Sequence, residues 1–250
     1  MINHPKLIMK NKKLEQIRLN RFIAMCGICS RRKADNLIQS GNILINNVKI
    51  TSLGHVVQFP KDIVCLNGVR ISPQKMQYIL LNKPKGYITT TRDEMGRKTV
   101  MSLVEDACEE RIVPVGRLDK NTTGLLLFTN DGKLAKKLTH PKHHIKKIYH
   151  VGLDRSLKKS DLIKIKKGIL LQDGFIQVDY VSFVDESPRL IKLEIHVGKN
   201  RIVRRIFEFL NYEVKKLDRV GYSFLKKDSL RTGMWRTLTS KEIKLLKKDG

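Results

Sequence analysis

The segment from Val115 to Gly132 is the strongest local constraint on the fold, because it places a carboxylate in a polar turn directly before an apolar strand. Asp119 is followed by Asn-Thr-Thr-Gly, which favours a bend, and Gly124 to Thr129 then has the composition of a buried strand. An acid at the mouth of a strand is a common functional position, so Asp119 is the candidate catalytic residue. The residues alone leave open that Asp119 only caps the turn through backbone hydrogen bonds.

Turn residues separate most of the other apolar runs, and long helical crossovers are few. This pattern predicts an α+β protein whose larger domain is built on a long, mostly antiparallel sheet. Strict alternation over 191–197 predicts a strand with one buried face. The predicted strands are 78–81, 87–91, 124–129, 145–153, 191–197 and 214–220; the predicted helices are 133–138, 156–167 (with Leu162, Ile163 and Ile165 inward) and 201–210, capped by Asn200.

The first part of the chain has the pattern of a small independent unit. A helical stripe begins at Leu14 and ends near Gly27, and Ser30 is a good N-cap for a second helix. Short strands with Asn-Asn and Asn-Gly turns follow. The predicted organisation is a flexible basic arm (1–13), a small domain (14–72), a linker (73–77), a large domain (78–240) and a basic tail (241–250).

The charge of the chain indicates a polyanionic partner. Lys and Arg number 50 against 24 Asp and Glu, which gives a net charge of +26. Nucleic acid is the partner that this balance favours. The alternative is solvated lysine without a partner, but several of the motif positions carry arginine, whose planar donor fork suits phosphate.

No apolar run approaches the ~20 residues that span a bilayer, and no signal region follows the basic N-terminus, so we expect a cytoplasmic protein without a membrane partner. Cys26 and Cys29 have redox or zinc spacing, but no second pair accompanies them, and buried reduced thiols are the better interpretation. We expect no metal. The histidines assigned to solvent or RNA contact instead are His140, His143, His144 and His150.

Gly116-Arg117-Leu118-Asp119, with the following Asn-Thr-Thr-Gly-Leu-Leu-Leu and Thr-Asn-Asp-Gly, resembles the signature of pseudouridine synthases of the RsuA/RluB type. These enzymes isomerise uridine in ribosomal RNA, and the resemblance covers roughly 14–238. The first domain resembles the RNA-binding domain of ribosomal protein S4, at Ser30–Asp35, Gly41-Asn42-Ile43 and Asn67-Gly68. The resemblance implies a docking domain joined to a catalytic domain, with no cofactor.

His140-Pro141-Lys142 resembles the branch that modifies large-subunit RNA. The implied partner is therefore large-subunit ribosomal RNA. We expect the protein to be a monomer. A small-subunit target and a non-catalytic RNA-binding or ribosome-assembly protein stay as alternatives.

The resemblance also implies catalytic roles for three residues. Asp119 would act at the ribose, and Arg204, in the third motif of the family, would hold it ionised. Lys199 and Ile202 stand where Arg and Gln are expected, which weakens the Arg204 assignment. Tyr149, in a Lys-x-Tyr strand, would stack on the base and help to take the proton from C5; from position alone it would be a core residue.

The remaining assignments concern RNA binding. Arg117 would fill the gap left by the extracted base, with a structural salt bridge as the alternative. Positive side chains at the second helix and in Lys-Pro-Lys-Gly would lie beside phosphates, with a solvated helix start and a structural hairpin as alternatives. The residues predicted to bind RNA are Arg31, Arg32, Lys33, Lys83, Lys85, Arg117, Arg201 and Arg205. The alternative for Arg204 is that it grips phosphate along a helix start with Arg201 and Arg205, instead of holding Asp119 ionised.

Overall fold

The computed structural model describes residues 14–185 and 187–248. The basic arm expected at 1–13 lies outside the described residues. The chain divides into two compact units, Met1–Lys75 and Met76–Gly250, and the linker expected at 73–77 spans this division. None of the helices in the described ranges has the length and apolar character that crossing a membrane demands.

The first unit packs two helices against short strands around a core that includes Phe22, Ile23, Ala34 and Ile43. Its elements are β1 (Glu15–Arg18), α1 (Leu19–Met25), α2 (Arg31–Gln39), β2 (Ile43–Ile45), β3 (Val48–Ile50), β4 (Val56–Phe59), β5 (Val64–Leu66) and β6 (Val69–Arg70). Strands β1 and β4 pair with each other, and the other four form an antiparallel sheet in the order β3-β2-β5-β6.

The helix predicted from Leu14 is wrong over its first turn. Residues 15–18 form β1, in which Ile17 lies opposite Val57 of β4, and pairing with a distant strand therefore overrides the local pattern. The cap at Ser30 is confirmed, because its hydroxyl accepts the Lys33 N–H over 3.4 Å.

The second unit is built on a nine-stranded sheet. Its elements are β7 (Tyr78–Lys83), β8 (Val113–Pro114), β9 (Thr123–Thr129), α3 (Gly132–Thr139), β10 (Lys147–Leu153), α4 (Lys159–Lys167), β11 (Ile169–Leu171), β12 (Gly174–Ile176), β13 (Tyr180–Val184), β14 (Ser187–Ile195), α5 (Ile202–Phe209), β15 (Val214–Tyr222), β16 (Leu225–Lys226), β17 (Trp235–Thr237) and α6 (Ser240–Lys248). Short 3-10 segments lie at Val100–Leu103, Glu105–Ala107 and Pro141–His143. The strand order of the sheet is β13-β14-β10-β15-β9-β7-β17, with β8 paired to β9 and β16 paired to β15.

The predicted antiparallel sheet is confirmed, and one pairing within the described sheet departs from it. β15 and β9 run parallel and pair over two positions, where Arg219 lies opposite Gly124. A Cβ atom on Gly124 would come within 2.3 Å of the Arg219 main-chain oxygen, so glycine permits this close approach. The junction joins the two halves of the sheet.

Apolar clusters cover both faces of the sheet around β9, which explains why its sequence is an unbroken apolar run. Leu125 and Leu127 pack with α3 and α6 on one face, whereas Leu126 and Phe128 pack against the 3-10 segments on the other. A third cluster buries α4 and α5 against β10 and its neighbours. The buried face predicted for 191–197 is confirmed at Ile191, Leu193 and Ile195.

Other predictions are wrong in detail. Residues 87–91 form no strand beyond an isolated bridge from Ile88 to Thr99. Ile163, expected inward on α4, is 51% exposed. The α5 cap is Arg201 rather than Asn200. The segment expected as a basic tail from 241 forms most of α6, whose Leu246 is fully buried in the core.

Candidate active site

Asp119 lies in the loop between β8 and β9, and neighbouring backbone atoms hold that loop in a tight turn. The Thr122 N–H donates to the Asp119 main-chain oxygen over 3.0 Å. The Thr89 hydroxyl donates to the Leu118 carbonyl over 2.7 Å and accepts the Leu118 N–H over 3.2 Å. The side chain of Asp119 stays 41% exposed. The turn is therefore fixed by main-chain oxygens, and the carboxylate is left available to a ligand.

Lys83, predicted to lie beside an RNA phosphate, is instead buried beneath the loop that contains Asp119. It is fully buried at the end of β7, and its ammonium donates to the main-chain oxygens of Pro84 (3.0 Å), Asp119 (3.1 Å), Lys120 (3.3 Å) and Thr122 (2.8 Å). Burial lowers the pKa of Lys83 to about 8, against the charge of Asp119, which raises it. The predicted phosphate contact is wrong, because this lysine is enclosed by the loop that it holds. Lys85, two residues later, is exposed.

The ion pair of Asp119 is made by Arg201 rather than by Arg204. Arg201 Nη1 lies 3.9 Å from Asp119 Oδ2, and Arg201 also lies 3.7 Å from Glu208. Arg204 Nη1 donates instead to the Val214 carbonyl over 2.7 Å. Burial lowers the pKa of Arg204, as does Arg201, while Asp119 opposes both effects. The charge of Asp119 therefore reaches Arg204, but the two side chains form no ion pair among the described residues.

Arg205, predicted to bind RNA, is already paired. Its guanidinium donates to both oxygens of Asp173, in the turn between β11 and β12. Lys199 Nζ donates to the Asp173 main-chain oxygen over 2.6 Å. The hydrogen bonds from Arg205 hold the pKa of Asp173 at about 2. These contacts attach the segment that contains Arg201 to the hairpin formed by β11 and β12. Arg205 already has a carboxylate partner and is therefore not a free phosphate ligand.

Tyr149 lies on β10 directly opposite Arg219 of β15 and Leu193 of β14. It is partly buried and packs against core clusters on both sides. Opposed residues of an antiparallel pair share a face of the sheet, so Tyr149 and Arg219 are neighbours.

One cavity of the second unit brings together four of the eight site residues predicted in that unit. Asp119, Tyr149, Arg117 and Arg201 line it, whereas Arg204, Arg205, Lys83 and Lys85 do not. The cavity also contains Lys147 and Arg219, two functional candidates that the sequence analysis missed. A signal for Arg219 exists: it follows Leu217 by two residues on a buried strand, where alternation calls for an apolar side chain.

The remaining predicted RNA-binding residues belong to the first unit. Arg31, Arg32 and Lys33 are exposed in the first turn of α2. Cys26 is buried as expected, and burial raises the pKa of its thiol to about 12, whereas Cys29 is only partly buried.

The model of the RNA pseudouridylate synthase family matches residues 77–209, and the model of the S4 domain matches residues 17–64. The chain belongs to the RNA pseudouridine synthases, which are isomerases, and carries an S4 domain before its synthase fold.

The relatives agree with this assignment. The chain is 40% identical to the ribosomal large subunit pseudouridine synthase B of Bacillus subtilis strain 168, with 92% of this chain and 95% of that protein covered. It is 34% identical to the dual-specificity RNA pseudouridine synthase RluF of Escherichia coli K12, over 91% of this chain and 77% of the relative. A crystal structure of a pseudouridylate synthase matches with a TM-score of 0.65 at 28% identity, covering 92% of this chain and 99% of that chain.

Proposed function

We propose that this protein converts a uridine of large-subunit ribosomal RNA to pseudouridine, with Asp119 as the catalytic carboxylate. One observation carries the assignment of Asp119: it is the one carboxylate among the described residues that line the cavity. The other charged lining residues are cationic, namely Arg117, Lys147, Lys199, Arg201 and Arg219. A protein that only binds RNA gains nothing from an anion in such a cavity, because the anion repels phosphate.

The reaction makes a carboxylate useful at this place. Isomerisation breaks the bond from ribose C1′ to N1 of uracil and joins C1′ to C5, with no change of oxidation state and no transferred group. Positive charge develops on C1′ as the bond breaks, and a carboxylate beside it stabilises that charge or forms a covalent bond to it. Within the described residues, no backbone N–H donates to the Asp119 carboxylate, which weakens the alternative that it merely caps the turn.

Base flipping follows from the location of the reacting bond. C1′ is inaccessible while the base is stacked, so the nucleotide must turn out of the RNA, at a cost of a few kcal/mol. Arg117 is exposed at the rim beside Asp119 and replaces the lost stacking in our proposal. Tyr149 stacks on the extracted base inside the cavity, a contact worth about 1–3 kcal/mol.

The target assignment rests on the S4 domain and on the relatives. Exposed Arg31, Arg32 and Lys33 at the start of α2 supply a phosphate-docking surface in the first unit. The Bacillus relative is named for the large subunit, and His140-Pro141-Lys142 agrees with that branch.

The test is pseudouridine mapping of ribosomal RNA from cells that lack this protein. The cells are complemented with the native protein or with Asp119→Asn, and binding of both proteins to the RNA is measured in parallel. We expect loss of a large-subunit site that only the native protein restores, while Asp119→Asn still binds RNA. A missing small-subunit site would redirect the target, and an unchanged map would favour a non-catalytic protein. Turnover by Asp119→Asn would remove this carboxylate from the mechanism.

A further inference from the structure

Arg219 is a buried cation for which the described structure contains no ion-pair partner. It is 4% exposed, and its Nε donates to the Leu125 carbonyl over 2.7 Å. Its Cζ lies 4.9 Å from the centre of the Tyr222 ring. Nη2 is buried and has no hydrogen-bond partner among the described residues. An unsatisfied buried donor is costly, so a ligand that accepts from it gains more than it would in water.

Lys147 is a second cation in the same wall of the cavity. It is partly buried at the start of β10, and its Nζ donates to the His196 main-chain oxygen over 2.7 Å. The described residues offer it no carboxylate at ion-pair distance. Burial lowers the pKa of Lys147 to about 8, and the charge of Arg219 lowers it further than Asp179 raises it. Lys147 and Arg219 therefore repel each other, and neither has a carboxylate partner among the described residues.

Both cations lie beside the residue proposed to hold the base. Lys147 precedes Tyr149 by two positions on β10, and Arg219 lies opposite Tyr149 on β15. All three line the cavity that contains Asp119. A base stacked on Tyr149 would thus have a carboxylate in reach of its sugar and two unpaired cations in reach of its ring.

We propose that Arg219 and Lys147 bind the uracil base as the anion formed when it separates from the ribose. This inference rests on the proposed function of the cavity. When the C1′–N1 bond breaks, both electrons stay with the base, and the negative charge spreads over N1, O2 and O4. The base then turns, C5 forms the bond to C1′, C5 loses its proton and N1 gains one. The product is an isomer of the substrate, and no oxidant or reductant takes part.

The location of the two cations makes this stabilisation selective for the separated base. The intact nucleoside carries a neutral ring, so Arg219 and Lys147 gain little from it. The anion gains much more, because the surroundings of Arg219 exclude water and the charges are already in place. The cations would therefore accelerate bond breaking rather than tighten binding of the RNA.

The experiment compares two RNA substrates with the full chain in single-turnover assays. One RNA carries uridine at the target position, and the other carries 5-fluorouridine, whose fluorine withdraws electrons and stabilises the separated base by itself. Loss of the original nucleoside is measured for the native protein, Arg219→Gln and Arg219→Lys. Arg155→Gln is the matched control, because Arg155 also donates to a main-chain oxygen, of Asn211, and lies 4.8 Å from a tyrosine ring, of Tyr212, but lies outside the cavity.

We expect Arg219→Gln to lower the rate with uridine about 100-fold, as loss of a preorganised donor does in other enzymes. The loss with 5-fluorouridine should be much smaller, Arg219→Lys should recover most of the rate, and Arg155→Gln should not change it. Equal losses with the two substrates, or none, would overturn the proposal and leave Arg219 as the tie between β15 and Leu125. If Arg219→Gln does not fold, the same comparison with Lys147→Gln decides. Asp119→Asn is assayed beside them, since its turnover would refute the proposed function separately.

Discussion

The ammonium of Lys83 donates to the main-chain oxygen of Asp119 over 3.1 Å. Two further oxygens of the same turn, of Lys120 and Thr122, accept from it as well. A buried charge at the end of β7 therefore sets the conformation of the loop that presents the candidate catalytic carboxylate. Lys83 is a positioning residue, since its side chain faces the back of the loop and is fully buried.

Replacing Lys83 with Met should destabilise the protein and slow turnover. The substitution leaves main-chain oxygens of the turn without donors, and an unsatisfied buried group costs about 1–3 kcal/mol. Chemical denaturation measures the free energy of unfolding, and single-turnover assays measure the rate. Lys85→Met is the control, because Lys85 is exposed and its loss should leave stability unchanged. Equal effects of the two substitutions would contradict the positioning role.

The contribution of Lys83 to stability should depend on pH in a defined direction. Its pKa is about 8 in the folded protein and near 10.5 when unfolded. Between these values the unfolded state holds more protons, so the unfolding free energy that Lys83 contributes rises with pH, by up to about 3 kcal/mol. Below about pH 8 that contribution should be constant.

The measurement is the difference in unfolding free energy between the native protein and Lys83→Met from pH 7 to 10. Subtraction cancels Lys147, which titrates in the same range in both proteins. A difference that falls with pH would mean that the accepting oxygens hold the ammonium charged more strongly than burial opposes it.

The sequence predicts the elements whose patterns are local. The strand predicted at 124–129 is found at Thr123–Thr129, because a run of consecutive apolar residues marks its burial. The alternation over 191–197 identifies a strand and its buried face, but the strand lies at Ser187–Ile195. Local periodicity does not predict β1, because this strand forms only by pairing with β4, in which Val57 lies opposite Ile17. The strand expected at 87–91 does not form for a related reason. Its residues favour a strand, but among the described residues it has no pairing beyond the bridge from Ile88 to Thr99.

The sequence predicts which residues form the site better than it predicts the contacts that they make with one another. The motif identified Asp119, Tyr149 and Arg117, and all three line the cavity. Whether a cation lies beside a phosphate, a carboxylate or a main-chain oxygen depends on distant segments, which explains the wrong assignment of Lys83. Arg201 takes the predicted place of Arg204 in the ion pair. It is the cap residue before α5 and has a φ of 48°, a left-handed conformation that the pattern does not specify.

Gly124→Ala should damage both the fold and the site. Its φ of 103° disfavours any side chain, and a Cβ would meet the main chain of Arg219 at 2.3–2.8 Å. The substitution must separate β9 from β15, at a cost of about 3 kcal/mol or more. Gly132→Ala is the control, since nothing lies within 4 Å of a Cβ there and its φ is not positive, so a change under about 1 kcal/mol is expected. Thermal and chemical unfolding of both variants test this; equal stability would contradict the close approach.

Arg201→Ala and Arg204→Ala should separate activity from stability. Arg201 is 48% exposed and pairs with Asp119 at 3.9 Å, so its loss should cost less than about 1 kcal/mol of stability while slowing turnover. Loss of Arg204 leaves the Val214 carbonyl without its donor and should cost about 1–3 kcal/mol as well as activity. Unfolding and single-turnover rates, measured together, distinguish them. A large loss of stability in Arg201→Ala would show that its pairing with Glu208 anchors α5.

The double variant Arg31→Gln and Arg32→Gln should weaken RNA binding without altering the chemistry. Both side chains are exposed at the start of α2, where positive charge and free backbone donors favour phosphate. If each contacts one phosphate, the slope of log affinity against log salt concentration should fall in magnitude by about 1.4–1.8. The single-turnover rate at saturating RNA should stay at the native value, because Asp119 and its cavity belong to the second unit. Binding titrations at several salt concentrations measure the slope; an unchanged slope would assign these arginines to a solvated helix start, and a reduced rate at saturation would mean that docking through α2 also positions the uridine for reaction.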